Sequence, residues 1–490
     1  VRLSLANLGG IGRQAAVPNY RRSSLRPGIV HFGVGNFHRA HQAVYLDELF
    51  NKGRGCDWAV VGAGVMAADE VVRKKLAHQD YLTTVVEQDA ERSAARVIGS
   101  MVDFIPGGDR AQLLSRLADP AIRIVSLTIT EGGYFINPAT GQFDPANPAI
   151  LRDAGSPDEP ATVFGLILAG LARRRSAGTA PFTVMSCDNV PHNGDVTRNA
   201  VVGLASLSDP ALGRWVEDSV AFPNGMVDRI TPATTDRQRR ILAETFGIDD
   251  EWPVFCEEFR QWVLEDRFCS GRPALELAGV DFVNDVSPYE QMKIRILNGG
   301  HATIAYPAGL LGVHYVHDAM ADDLLRSFLA RIELQEIVPT VPPVPNTDLR
   351  DYFRLIERRF ANPKIGDTVG RLCFDGSNRQ PKFIVPSIHD RLKAKAGVGG
   401  LALVSALWCR YCYGTTDQGA TIEPNDPNWD RLRDTAWQAR DNPAAWIAMA
   451  DIYGDAGKAP EFAAAFTRAL ASLWANGVEK TLRDYLDARP

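Results

Sequence analysis

Cysteine is scarce in this chain: seven residues in 490, an odd number too scattered for a disulfide framework. Reduced thiols in a cytoplasm are therefore expected. Cys409 and Cys412 form the one C-x-x-C, inside the apolar run LALVSALWCRYCYG, with no second pair at zinc-ribbon spacing. Core packing accounts for that pair, and no metal is expected. Long apolar runs are also missing; none approaches the ~20 residues of a membrane span. The leading VRLSLANLGGIGRQ has no apolar core before a small-residue cleavage site, so no signal peptide is expected. A basic excess is absent too, with a formal charge of −6 and a pI near 5.9. That excludes the electrostatic footprint of a nucleic-acid or anionic-membrane binder. There is no internal repeat and no low-complexity tract. What remains is a soluble, cytoplasmic protein with small-molecule partners, long enough for two domains.

The first domain, residues 1–284, reads as α/β. In GIVHFGVGNFHRAHQAVYLDELF, Ile29–Phe32 is a short buried strand, Gly33-Val34-Gly35 a tight turn, and Arg39 onward a helix. Such a unit sets backbone N–H groups against a pyrophosphate. His38 stands where the usual G-x-G-x-x-G fingerprint has its third glycine, so the motif alone is weak. Further strands are expected at 56–64, 81–87, 122–130 and 182–187, with helices between them. Alternation of this kind predicts a largely parallel, doubly wound sheet. Asp69 follows the second strand. It is placed either to bond an adenosine ribose or to cap the helix DEVVRKKLAHQ, and it would repel a 2′-phosphate, favouring NAD over NADP. Two strands end in polar clusters, TEGG at 130–133 and SCDNVPHNGD at 186–195, where parallel sheets bind ligands. Turn chemistry explains either cluster equally well.

From about residue 285 strand signals nearly vanish. Helices are expected at 288–312, 318–337, 348–361, 398–413, 428–440, 443–453 and 460–475, with PTVPPVPN at 339–346 as a loop. The first of these, DVSPYEQMKIRILNGGHATIAY, carries four polar residues in a segment that otherwise reads as buried. Ser287 is the expected N-cap, Pro288 the first helical residue, and Glu290 the partner in a capping box. At 100° per residue, Glu290, Lys293, Asn298 and His301 fit within an arc of roughly 140°. Taken alone, the segment also admits a structural account: a cap, a snorkelling lysine and a helix end at Asn298-Gly299-Gly300.

Five strings decide between these accounts: GVGNFHRAHQ (33–42), TITEGGY (128–134), SCDNVPHNG (186–194), FPNGMVDRITP (222–232) and PYEQMKIRILNGGH (288–301). Together, and in this order, they resemble the mannitol dehydrogenase family, the polyol-specific long-chain dehydrogenases. The resemblance spans nearly the whole chain. It implies a Rossmann-type NAD-binding domain, a mainly helical catalytic domain, a monomer, and metal-independent hydride transfer between a polyol and NAD. Residue by residue it implies Lys293 as general base, Asn189 and Asn298 as donors to the developing alkoxide, and His301 as a substrate-orienting imidazole. Glu131 would help the proton leave. Asp228, Glu290 and Arg371 would line the polyol site. Gly33, Gly35, Asn36, Phe37, His38 and Arg39 would meet the cofactor, and Asp69 would select NAD. Where the family often carries a substrate-side lysine, SNRQPKF offers Arg379, with Lys382 close enough to leave the assignment open.

The chemistry is self-consistent. Oxidising a secondary alcohol requires loss of its proton as hydride leaves the same carbon. A lysine of ordinary pKa near 10.4 must be buried or set beside a positive charge to serve as base near neutrality. Side-chain amides can hold the alkoxide without adding charge. Two other assignments are weaker. Tyr289-x-x-x-Lys293 has short-chain dehydrogenase spacing but lies far outside the dinucleotide unit. A zinc dehydrogenase lacks ligands, since His314-x-x-His317 stands alone. A sugar-acid reductase such as a fructuronate reductase, with Arg371 or Arg379 on the carboxylate, remains an alternative, as does a non-catalytic NAD sensor.

Overall fold

Strand Pro27–Phe32 is buried from its second residue onward, because it lies at the centre of a five-stranded sheet. Ala59–Ala63 and then Met101–Ile105 extend the sheet on one side, Ile124–Leu127 and then Thr183–Ser186 on the other. All four pairings are parallel. Parallel strands need crossover helices that cover both faces, which is why these strands are short apolar runs rather than alternating ones. The strand order reverses at Pro27–Phe32, so the glycine turn that follows it lies at the switch point of a doubly wound sheet. The computed structural model describes residues 1–137 and 140–488.

The strand expected at 81–87 forms, as Thr83–Gln88, but outside this sheet. It pairs antiparallel with Ser93–Ile98 and parallel with Val254–Glu257. The cause is local. Asp89 accepts hydrogen bonds from the N–H groups of Glu91 and Arg92 at 2.8 and 2.7 Å, closing a tight hairpin that returns the chain at once. Met101–Ile105, not anticipated, takes the vacant place in the main sheet. A third sheet joins Gly225–Asp228, Gln261–Glu265 and Asp281–Val283.

The chain divides into two compact units, Val1–Ser287 and Pro288–Pro490, three residues beyond the boundary expected at 284. The second has no strand among its described residues. Leu349–Phe360, Gly399–Cys412 and Trp429–Asp441 form where periodicity predicts. The segment expected as one helix over 288–312 is α-helical at Ser287–Met292, π-helical at Lys293–Asn298 and α-helical again at Gly299–Leu310. A second π-turn, Glu333–Ile337, ends the helix Asp323–Ile332 and touches the first. Expected helix 443–453 is two short pieces, while the last runs on to Asp487 across a break at Gly477, where φ is 76°. Three helices had no sequence signal: Val369–Cys373, Gly376–Phe383 and Val385–Lys393. They are only five, eight and nine residues long, and Pro381 and Pro386 interrupt the pattern. Gly299–Leu310 is buried on almost every side, against Val369–Cys373 and Gly399–Cys412. Among the described residues no helix is long and apolar enough to cross a membrane.

Candidate active site

In the first unit, everything begins at the carboxyl end of Pro27–Phe32. Gly33 has φ 89°, and a Cβ there would lie 1.9 Å from the Thr128 carbonyl oxygen, so only glycine fits. Beneath the turn lies a buried polar set. His31 Nδ1 is 2.8 Å from Ser126 Oγ, and its Nε2 is 2.9 Å from Thr128 Oγ1. Ser126 Oγ donates to Gln42 Oε1 at 3.0 Å, and Thr128 Oγ1 also lies 2.6 Å from the Gly33 carbonyl oxygen. Burial holds the His31 imidazole near pKa 3, hence neutral.

The helix after the turn starts earlier than expected and is short, Asn36–Ala40, broken at His41 before Gln42–Asn51. The side chains of the motif turn inward. His38 stacks on His31 with centroids 3.6 Å apart, and Phe37 stacks on His41. Arg39 is 1% exposed and donates to the Trp252 carbonyl and, at 2.7 Å, to Asn36 Oδ1. Asn36 Nδ2 bonds the Pro232 carbonyl and Thr234 Oγ1, both at 3.1 Å. Asn36, His38 and Arg39 thus hold the turn's shape with their side chains, and what the motif offers a ligand is the glycine backbone. Asp69 is half-buried. Its Oδ2 accepts from the Val65 and Met66 N–H groups at 2.8 and 2.7 Å, so it does cap its helix.

The two polar strand ends come together around Asp188. Its carboxylate accepts from Ile129 N (2.9 Å), Thr130 N (2.9 Å) and the Tyr134 hydroxyl (2.6 Å). Burial raises this carboxyl above its usual range, with the Glu131 charge adding to the rise, while the three donors lower it. Glu131 and Asn189, the residues that follow Thr130 and Asp188 in the chain, are exposed. Asn193, fully buried, donates to the Asp188 and Gly225 carbonyls at 3.1 and 2.8 Å and accepts from Gly225 N at 2.9 Å. It therefore fastens the Asn189 loop to the strand that ends in Asp228, which is 4% exposed. Arg229, next in sequence, pairs with Glu87 at 2.7 Å with its guanidinium fully buried. Asp188, Asn193, Tyr134 and His31 escaped the sequence reading; the polar strand ends were the available signal, but a turn former and a buried anchor look alike in sequence.

In the second unit, the expected cap is displaced: Asp285, not Ser287, supplies the oxygen, accepting from Ser287 N at 2.9 Å. Glu290 and Lys293 are each 6% exposed. The π-turn matters here. On a regular helix Lys293 and Asn298 would stand roughly 140° apart. In i→i+5 winding they lie one turn apart, on one side, as the bond from Gly299 N to the Ile294 carbonyl shows for the next pair. His301 stacks on Phe360 at 4.1 Å, and its Nε2, screened from solvent, has no hydrogen-bond partner among the described residues. Burial lowers its pKa well below the usual value, helped by the charges of Arg371, Arg359 and Arg379. Arg371 makes a two-pronged pair with Asp367. Arg379 Nη1 donates to the Arg371 and Leu372 carbonyls, both at 3.1 Å, while Lys382 is exposed. Among the described residues no group of three or more His, Cys, Asp or Glu is placed to hold a metal ion.

Comparison with known proteins matches residues 27–277 to the mannitol dehydrogenase Rossmann domain and 285–474 to the mannitol dehydrogenase C-terminal domain. A mannitol 2-dehydrogenase of Cereibacter sphaeroides is 58% identical over 477 residues, 97% of this chain and all of the relative. One from Neosartorya fischeri is 40% identical, covering 99% of both chains. Among solved structures, Pseudomonas fluorescens mannitol 2-dehydrogenase in ternary complex with NAD and D-mannitol superposes with a TM-score of 0.88 at 44% identity over both full chains. A substrate-free D-sorbitol dehydrogenase gives 0.91 at 35% identity, covering 98% of this chain and all of that one. The chain belongs to the mannitol dehydrogenase family of polyol dehydrogenases, as a Rossmann domain followed by the family's C-terminal domain.

Proposed function

We propose that this protein is an NAD-dependent, metal-independent mannitol 2-dehydrogenase that interconverts D-mannitol and D-fructose, acting in the cytoplasm as a monomer. The observation that carries the reading is the buried Lys293 one π-turn from Asn298. A fold seldom buries a lysine, so its place on the same side of the helix as Asn298 calls for a functional account.

The first unit suits a dinucleotide. It presents a glycine turn that no side chain could occupy, at the switch point of the sheet, and a carboxylate, Asp69, after the neighbouring strand. When bound, NAD supplies the hydride acceptor. In this reading Lys293 removes the hydroxyl proton, Asn189 and Asn298 donate hydrogen bonds to the oxygen as negative charge develops, and neutral His301 orients the neighbouring hydroxyl. Glu131, exposed to water, passes the proton on. Asp228, Glu290, Arg371 and Arg379 line the polyol. Each Asn donor is worth roughly 2.7–4 kcal/mol of barrier.

The sugar-acid alternative is weakened because Asp367 takes the Nε and Nη2 edge of Arg371 and offsets its charge, while Nη1 stays available to a polyol hydroxyl. The structural likeness to a D-sorbitol dehydrogenase supports D-sorbitol as a secondary substrate, and the motif resemblance adds D-arabinitol. The test is NADH formation from NAD and D-mannitol after treatment with a chelator, with fructose and fructuronate compared in the reverse direction. Lys293→Ala should abolish turnover yet still bind NADH. Turnover retained in that variant would remove Lys293 as base, and NADH binding without turnover of any polyol would favour the sensor.

A further inference from the structure

We propose that Asp188 is a positioning residue: a buried carboxylate that holds the loop carrying Glu131 in a strained conformation and fixes it against the loop carrying Asn189. The proposal rests on the reading above in which those two residues serve the reaction.

The anomaly is Thr130. Its backbone sits at φ 65°, ψ 164°, a region essentially reserved for glycine and unfavourable for a β-branched residue. Something must impose it. Asp188 Oδ1 accepts the N–H of Thr130 itself, and Oδ2 accepts the N–H of Ile129 and the hydroxyl of Tyr134, so one carboxylate grips three points of the 129–134 loop. Glu131 lies inside that span. The anchor is itself held. Asp188 N donates to Ser186 Oγ at 3.2 Å, Ser186 Oγ meets the Tyr134 hydroxyl at 2.6 Å, and the Asp188 carbonyl accepts from buried Asn193. The Tyr134 hydroxyl has one hydrogen, which goes to the carboxylate, so Ser186 must donate to Tyr134. Every polar group of Asp188 is thereby committed to loop geometry, and the next residue in the chain is Asn189. A side chain 8% exposed with three donors on its carboxylate acts on substrate through the residues it places.

Asp188→Asn is the probe, in the full-length enzyme. An amide presents N–H to one of the two backbone N–H groups, so the grip on Ile129 or on Thr130 is lost while volume is kept. The expected result is a fall in kcat of about 100-fold, the scale of a roughly 1 Å misplacement, with the Kd for NADH within about twofold. Adding Thr130→Gly should restore roughly five- to tenfold, because glycine adopts the loop conformation without being forced. A purely structural role would lower melting temperature, NADH affinity and kcat together, and Thr130→Gly would restore none of them selectively; that result overturns the proposal, as does a kcat within twofold of the wild type. Should Asp188→Asn fail to fold, Tyr134→Phe removes a single donor from the carboxylate. It should lower kcat several-fold with NADH binding kept, and an unchanged kcat counts against the proposal. Glu131→Gln and Asn189→Ala are measured alongside. Wild-type turnover in both overturns the underlying site reading; loss in both with full activity in Asp188→Asn overturns the Asp188 assignment alone.

Discussion

Gly33 and Glu333 show how single residues constrain this enzyme in opposite ways. At Gly33 there is no room: a methyl group would collide with the Thr128 carbonyl, backbone against backbone, at a positive φ. Gly33→Ala should raise the Kd for NADH at least about tenfold, measured by fluorescence titration, since the turn cannot keep its shape. At Glu333 the difficulty is solvation. The side chain is fully buried, neither oxygen has a hydrogen-bond partner among the described residues, and burial together with the Glu357 charge pushes its pKa well above the usual value. The folded state therefore keeps the proton where the unfolded chain releases it. Glu333 contributes stability at a pH below its unfolded value, 4.5, and that contribution declines as the pH rises through the folded value. Glu333→Gln should raise the melting temperature relative to wild type, and by more at pH 8 than at pH 5; a difference independent of pH would show that the carboxyl is ionised in place. Glu333 has no sequence signature, because nothing in RIELQEIVP distinguishes a buried glutamate from a solvated one.

At the scale of elements, the π-turn Lys293–Asn298 is the feature that a 3.6-residue period cannot reveal. The periodic arc did select Glu290, Lys293, Asn298 and His301 from the sequence, yet it spread Lys293 and Asn298 to its two ends. Tertiary packing against the second π-turn accompanies the winding that brings them to one side. Deleting Ile294 should convert the segment to a regular α-helix, leaving helical circular dichroism intact while kcat falls at least about 100-fold. Full activity in that variant would mean the π-turn is incidental. The helices bearing Arg371 and Arg379 were illegible for a different reason. They span only five and eight residues, and they owe their formation to packing rather than propensity.

For the whole molecule, three histidines of one eleven-residue stretch are buried and neutral: His31 and His41, each held near pKa 3, and His38, held well below its usual value. A depressed folded pKa gives stability that is present above the unfolded value near 6.5 and lost as pH falls toward the folded one. Each imidazole steepens acid destabilisation by about 1.4 kcal/mol per pH unit in that window. The buried carboxyls Asp47, Asp188 and Asp250, raised by burial, act in the opposite sense as pH falls. The clean comparison is therefore wild type against His38→Gln in urea at pH 6.5, 6.0 and 5.5. The variant should show the flatter dependence, by about one proton; parallel curves would mean that His38 protonates in the folded chain.

The sequence by itself determined the class of fold, the glycine turn, the polar helix and the family, because apolar periodicity, the need for glycine at a positive φ and long motif strings are local properties. Tertiary structure decided which strand entered the main sheet, since the Asp89 hairpin removed Thr83–Gln88 from it. It also decided which polar residues build the scaffold and which are left for the proposed site: Asp188, Asn193 and Arg39 are as polar in sequence as Asn189 or Lys293. Only the positions of their donors and acceptors in the folded chain separate the two groups, because a hydrogen bond over 58 residues of sequence, as from Thr130 to Asp188, leaves no local trace.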